Sequence, residues 1–427
     1  VARTAVVGVL VFVLAFAVRA LWIGTLGHTL VWDDERDFAA IAAALVRGDG
    51  YVGDSYRANP VMPVYLAAVF RVFGERYEVA RLGQALLGAG TCVLLFRIGS
   101  LVAPEVGVLA GLLLAFYPAH VYLAGVFYVD CVQTFLCTWL LYVVLRGAES
   151  RRPFVLGLGA GLLLGLAMLA RPIVGAYLPC LCGVWLLADR RPWRARIVVC
   201  AACVLGVAFA LSPWLVRNER AYGRLLPVSS GFATKLWQGN NELARGGPDD
   251  RDMMVGTPDW YARLEREPEP ARRALAAKYA PVADAIDRRA RELGDVGLAR
   301  DDVLGPIALG LFVDDPGRVL RLAARKLTTL FSAFRATETE NEHTTTAFRM
   351  VAALTFYPLL ALAIAGAWLG RAQARRLLAM YVLVGSLAGA YALLTACTRF
   401  RLPLDPYLIV LAAIALADVR RRWRHAA

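Results

Sequence analysis

Residues 153–188 read PFVLGLGAGLLLGLAMLARPIVGAYLPCLCGVWLLA, a stretch whose one charged residue is Arg171. A run of about 18 apolar residues is long enough to cross a bilayer, and two such runs stand here back to back. Only Arg171-Pro172 separates them, so the stretch predicts two membrane helices, roughly 154–170 and 172–188, closed by a tight hairpin. Gly157, Gly159, Gly161 and Gly165 resemble a nucleotide-loop run. Inside a span, close helix packing explains them better.

Eight further apolar runs lie around this pair, at roughly 5–22, 79–96, 106–123, 127–145, 197–213, 350–370, 377–394 and 405–418. The expected fold is therefore all-α and polytopic, a bundle of about ten transmembrane helices. The first run lacks a clear cleavage site and reads as a span rather than a signal. The composition agrees: 59% of the 427 residues are apolar, 19% are charged and the mean hydropathy is +0.53. That excludes an ordinary soluble enzyme and a disordered chain. The net charge of +13 would suggest nucleic acid in a soluble protein, but most arginines flank apolar runs, so no nucleic-acid partner is expected. The eight cysteines lie in or beside apolar runs and read as small fillers.

The arginines set an orientation. Arg3, Arg97, Arg146, Arg151, Arg152, the cluster 190–196, Arg371, Arg375, Arg376 and the cluster 420–424 fall on alternate connections. Short cytoplasmic loops carry the Lys/Arg excess, so both termini are expected in the cytoplasm. The opposite side receives two long segments, 23–78 and 214–349. The chain thus divides into an N-terminal module of seven spans (1–213) holding a first outer loop (23–78), an extracytoplasmic helical region (214–349) and a C-terminal module of three spans (350–427). Within the outer segments, 37–46 reads as a short helix stopped by Gly48 and Gly50. Residues 60–73 and 315–334 read as helices lying in the interface, and 240–302 as a small helical subdomain.

Chemistry has three candidate sources. Trp32-Asp33-Asp34-Glu35 follows the first span, and with Asp37 it sets four acids within five positions. A helix cap accounts for one of them, since Asp leads the cap preferences. A carboxylate where a lipid-borne substrate meets water can instead serve as a general base. Asp130 opens the fourth span, where an ionisable residue is costly and marks function unless it is a cap. Arg81, Arg171, Arg217, Arg399 and Arg401 stand at outer span ends, where positive-inside bias gives no reason for them. Their planar forks suit phosphate oxygens, though each alone is as readily a snorkelling or ion-paired residue. Lys235 lies in a segment otherwise poor in charge and can join them. The four histidines are scattered, with no zinc spacing and no P-loop elsewhere. Any divalent ion would fall to Asp34, Glu35 and Asp130.

The motifs have a familiar order. Asp34-Glu35 follows the first span, then an Ala-rich helix ends near Gly50-Tyr51 and a Pro-rich helix runs from Asn59-Pro60 to Phe73-Gly74. Arg81-Leu82, Ala170-Arg171-Pro172, Pro213-Trp214-Leu215-Val216-Arg217-Asn218, Gly239-Asn240-Asn241 and Arg399-Phe400-Arg401-Leu402-Pro403-Leu404-Asp405-Pro406 follow in turn. The chain in this order resembles the bacterial GT-C membrane glycosyltransferases, among them the protein O-mannosyltransferases and the aminoarabinose transferases of lipid A. The resemblance covers most of the chain and is weakest over 242–345.

That resemblance implies a bacterial inner-membrane enzyme moving a sugar, with inversion, from a polyprenyl-phosphate donor to a lipid, glycan or protein acceptor on the extracytoplasmic face. It implies Asp34 as the first-loop catalytic acid, Glu35 as its neighbour and Asp130 as a second acidic position. Asp33 is an extra acid that leaves the base open by one residue. No organic cofactor is implied. The alternative reading is a lipid or solute transporter, which would set ionisable groups at mid-membrane and break helices in paired halves. Neither pattern is visible, and the acids cluster at one surface.

Overall fold

A computed structural model describes residues 2–53, 55–57, 59–251, 253–333 and 346–426. Helices and turns make up these residues, with no strand among them. The chain is a multi-pass membrane protein. All ten apolar runs are helical, but they differ in length. Seven helices are long and apolar enough to span: Thr4–Ile23, Tyr77–Ser100, Val129–Glu149, Pro153–Ala170, Trp193–Tyr222, Arg349–Leu369 and Thr398–Arg424. An eighth is broken, with Pro104–Phe116 and Pro118–Gly125 meeting at 58°. Pro118 is the physical reason, because it has no N–H to carry the ladder across Tyr117. The two remaining runs, Pro172–Leu187 and Leu378–Leu393, are shorter apolar helices, so the expected ten full spans become seven, one bent span and two short ones.

The 3-10 turn Pro172–Ala176 joins Pro153–Ala170 to Tyr177–Leu187, but the two do not close on each other as the expected hairpin: the first lies along Trp193–Tyr222 and the second packs mainly against Leu378–Leu393. Pro153–Ala170 packs along Trp193–Tyr222 through its glycines: a Cβ at Gly157 or Gly161 would collide with the carbonyl oxygen of Val199 or Cys203. Small residues let membrane helices approach to backbone contact. All eight cysteines are free; Cys200 and Cys203 stand at CxxC spacing but on one helix, where they pack as fillers.

Between the seventh and eighth runs lie helices Phe232–Asn240, Pro258–Leu264, Glu269–Leu293, Val296–Asp314 and Pro316–Leu330. They enclose a second apolar core built on Trp237, Trp260, Tyr279, Leu264, Ile286 and Leu304. Trp237, Trp260 and Tyr279 meet in tilted and edge-on contacts with centroids 4.9 to 5.6 Å apart, the geometry that aromatic quadrupoles favour. Pro316–Leu330 is strongly amphipathic and packs against Leu378–Leu393, so this outer core is tied to the bundle.

Candidate functional site

Helix Asp33–Arg47 begins at Trp32, not at an aspartate. Glu35 makes that start possible. Its Oε2 accepts from the backbone N–H of Val31 and Trp32 at 3.0 and 3.1 Å, and its Oε1 accepts from Phe127 N–H at 3.0 Å. The residue is 1% exposed. Glu35 therefore works as a clamp between the loop before helix Asp33–Arg47 and the connection from the bent span to Val129–Arg146, and its carboxylate faces amides rather than a cavity. Asp33 points the other way: its side chain is 95% exposed and pairs with Arg36 at 2.8 Å. Asp34, between them, lines a cavity of about 720 Å³.

Four elements bring charge to this cavity. Asp34 comes from the first turn of Asp33–Arg47, Arg171 from the C-terminal end of Pro153–Ala170, Lys235 from Phe232–Asn240 and Arg399 from the 3-10 turn Thr398–Leu404. Arg399 is the hub. Its Nη1 donates to Asp34 Oδ2 at 2.9 Å and its Nε donates to Asp130 Oδ2 at 3.0 Å. Arg171 Nη2 reaches the same Asp130 oxygen at 3.2 Å, and its Nη1 donates to the Tyr391 hydroxyl at 3.4 Å. Asp34 and Asp130, nearly a hundred residues apart in sequence, thus share one guanidinium. Asp130 is fully buried in the first turn of Val129–Arg146, where the helix N-terminus favours an anion. Arg171 at a helix C-terminus has the complementary placement.

Aromatic rings hold the cations flat. The Arg399 guanidinium lies 3.5 Å from the Tyr128 ring centroid and that of Arg171 lies 4.8 Å from Phe400. Phe400 stacks on Tyr391 with centroids 4.7 Å apart. His120 Nε2 and the Leu402 carbonyl, 3.0 Å apart, tie the 3-10 turn to the bent span. The rest of the lining is mixed: Phe38, Ile41, Phe232, Leu309 and Phe312 are apolar, and Asp37, Tyr56, Asn59, Ser229 and Ser230 are polar.

Three of the arginines expected at a phosphate do not reach the cavity. Arg81 is buried and its two terminal nitrogens donate to the carbonyls of Gly27 and Thr29, at 2.6 and 2.5 Å. Arg217 donates to Tyr51 O and Asn218 Oδ1 amid the rings of Tyr51, Trp214 and Tyr222. Arg401 pairs with buried Asp405 at 3.0 Å and lies 3.4 Å from the Phe356 centroid. Each anchors a loop or a helix end. Replacing Arg81, Arg217 or Arg401 by Ala should therefore lower the melting temperature in detergent while donor affinity per folded molecule stays normal. Arg401→Ala should cost most, about 3–5 kcal/mol, because it strands Asp405. A normal melt with a raised donor KM in any of the three would overturn that assignment.

The metal set also fails to assemble. Among the described residues no group of three His, Cys, Asp or Glu side chains gathers for an ion. Asp34 and Asp130 are bridged by a guanidinium, and Glu35 is turned away on backbone amides. Sequence reasoning passed over Tyr391 and assigned no role to Asp37, though both line the cavity. Asp37 stands one helical turn beyond Asp34, a spacing that would have set both acids on one face. Tyr391 closes an apolar run and carried no such signal.

Residues 57–216 match the family described as dolichyl-phosphate-mannose-protein mannosyltransferase. No curated protein matches the chain by sequence. Among solved structures, the chain is similar to the oligosaccharyltransferase AglB of Archaeoglobus fulgidus, in complex with an inhibitory peptide and a dolichol-phosphate. The identity is 15% and the TM-score 0.55, over 100% of this chain and 52% of that one. A second Archaeoglobus fulgidus oligosaccharyltransferase structure, tethered to an acceptor peptide, gives 14% and 0.57, over 98% and 50%. ArnT from Cupriavidus metallidurans, bound to undecaprenyl phosphate, gives 16% and 0.41, over 98% and 77%. The chain spans about half the length of the oligosaccharyltransferases. At these identities the likeness to the two oligosaccharyltransferase structures shows the fold, which is that of the GT-C membrane proteins.

Proposed function

We propose that the protein is a membrane glycosyltransferase that moves a sugar from a polyprenyl-phosphate donor to an acceptor on the extracytoplasmic face of the inner membrane, with both termini cytoplasmic. The observation that carries this reading is that Asp34 and Arg399 line one cavity with Arg171, Lys235 and apolar side chains, while buried Asp130 bonds both arginines from behind. The match to a dolichyl-phosphate-mannose-dependent family and the likeness to AglB support the donor class.

The groups fit the chemistry of a single displacement. Asp34 takes the acceptor hydroxyl proton as that oxygen attacks the anomeric carbon. The bond from that carbon to the phosphate oxygen breaks, and polyprenyl phosphate leaves with the electron pair. Attack opposite the leaving group inverts the centre. Arg399, Arg171 and Lys235 stand on the side where negative charge grows, and fixed cations aimed there lower the barrier without reorganising. Asp130 holds both arginines in place, because each carries one hydrogen bond to its Oδ2. The apolar lining suits the lipid, and the hydroxyl and amide groups of Tyr56, Asn59, Ser229 and Ser230 suit the sugar.

Purified protein should release polyprenyl phosphate from a labelled lipid-linked sugar in the presence of total outer-surface glycolipid or protein acceptors. Lys235→Met should raise the donor KM about tenfold, the scale of one phosphate contact to a charged group. A protein that carries labelled lipid across vesicles without cleaving it would point to the transporter reading instead.

A further inference from the structure

The outer helical core meets the bundle at a seam beside the cavity, and one buried lysine sits in it. Lys326 is 1% exposed. Its Nζ donates to Asn240 Oδ1 at 3.0 Å and to the Leu393 carbonyl at 3.4 Å. Asn240 Nδ2 donates to that same carbonyl at 2.8 Å. The partners are the last residues of two helices, Phe232–Asn240 and Leu378–Leu393; Asn240 meets the amine with its side-chain oxygen and Leu393 with its carbonyl, both at helix C-terminal ends. Such ends carry partial negative charge, which recovers part of the cost of burying a cation. Arg318, on the same helix as Lys326, donates to the carbonyls of Asn240, Asn241, Glu242 and Ala244 at 2.8 to 3.3 Å. Thr329 holds the Gly246 carbonyl at 2.8 Å. Gly239 is there because nothing larger fits: a Cβ would collide with Leu394 O and come 3.0 Å from Lys326 Nζ.

What this seam fixes is cavity wall. Leu393, Leu394 and Thr395 line the cavity, and the strap beyond them leads to Arg399. We propose that Lys326 is a positioning residue, whose amine locks the rim Leu393–Thr395 to the outer core and so sets where Arg399 stands. The proposal rests on the cavity being the transfer site.

The lock is linked to protons. Burial pushes the Lys326 amine down to about 7, with Asp250 raising it and Arg318 lowering it. Arg300 and Asp314 stand on the packed helix Val296–Asp314, and the remaining charged groups on elements packed against this helix are engaged elsewhere. Asp250 is tied to Arg263, Arg399 to Asp34 and Asp130, Arg401 to Asp405 and Asp302 to Arg224. Asp301 accepts from Gly231 and Thr234, Lys235 faces the cavity, and Leu378–Leu393 carries no Asp, Glu, Lys or Arg. When the seam opens, the amine meets water and regains its ordinary high basicity. The open state therefore binds one more proton wherever the pH lies between about 7 and the exposed value, so the closed seam gains on the open one as pH rises across that window.

Hydrogen exchange on the full-length protein in detergent tests this. Corrected for intrinsic rates, protection of the 393–399 amides should rise about tenfold per pH unit from 7.5 to 9, the slope of one linked proton. In Lys326→Met that slope should vanish and protection there should fall, with helices Val129–Arg146 and Pro153–Ala170 unchanged. Asn240→Asp, which hands the amine a carboxylate, should also flatten the slope. Lys278→Met, at an exposed lysine, should behave as wild type. The same slope in Lys326→Met, or a loss of protection spread evenly over the bundle, overturns the proposal; if Lys326→Met does not fold, an unchanged slope in Asn240→Asp does so. Transfer assays on the same samples should show kcat down about tenfold in Lys326→Met, the rate equivalent of about 1.4 kcal/mol. Wild-type protein with the exchange slope but no transfer would sink the glycosyltransferase reading and leave the lock standing.

Discussion

Asp34→Asn should lower sugar transfer by about 10²–10⁴-fold, the usual contribution of a positioned general base. Protein yield and melting temperature should barely move. The asparagine keeps the shape of the side chain and an oxygen for Arg399 Nη1, which now lies 2.9 Å from Asp34 Oδ2. What disappears is the only proton acceptor among Asp33, Asp34 and Glu35 that faces the cavity. Asp33→Asn is the internal control. Its carboxylate is solvated and tied to Arg36, so transfer should stay within about twofold, since surface pairs of this kind contribute little. Glu35→Gln should behave differently from both. It disturbs the three N–H contacts that seat the helix, so its main effect should be a lower melting temperature. Full activity in Asp34→Asn with loss in Asp33→Asn would falsify the register.

The second large effect is expected at Asp130. Asp130→Asn removes the one anion that Arg171 and Arg399 share while leaving both guanidiniums largely enclosed, each about 14% exposed. Breaking a buried ion pair from one side costs about 3–5 kcal/mol, because the remaining charge has nowhere to go. Both the melt and the transfer rate should fall, and adding donor should not restore the rate, since Arg399 keeps only one of its two carboxylate anchors, Asp34. A double-mutant cycle separates the roles. Asp34 and Asp130 are coupled through Arg399, so their effects on transfer should be non-additive by about 0.5–3 kcal/mol. Strict additivity would mean that the two carboxylates act apart.

Much of the fold was legible because apolar length is a strong local signal. Every run read as a span is a helix, and the turn at Arg171-Pro172 follows from two runs with no room for a loop, although the helices it joins pack on other neighbours. The break at Tyr117-Pro118 was misread as a plain span, since mean hydropathy does not register a missing N–H. The site was legible in part. Asp34, Asp130, Arg171, Lys235 and Arg399 were named from position, and they meet. Arg81, Arg217 and Arg401 have the same positional signature and do not. The end of a span fixes a residue's depth but not its azimuth, and nearby carbonyls compete for its guanidinium. The pairs Arg81–Thr29, Arg217–Tyr51 and Arg401–Ser332 involve backbone oxygens that no residue code records. Lys326 and Arg318 were invisible for the same reason.

The glycine contact between Pro153–Ala170 and Trp193–Tyr222 has a mechanical consequence. The second helix has 30 residues, about 45 Å at 1.5 Å per residue, against a hydrocarbon layer near 30 Å. It is longer than that layer by about 15 Å, and at its C-terminal end Arg217 grips Tyr51 and Asn218 holds the carbonyls of Leu226 and Val228. Gly157, Gly161, Gly165 and Gly206 set the angle at which this rod leaves the membrane. They act as a fulcrum, and the loops around Asn59 and Ser229 ride on the long arm. A methyl group added at the fulcrum would be felt, amplified, as a shift of the cavity's polar lining at Asn59 and Ser229.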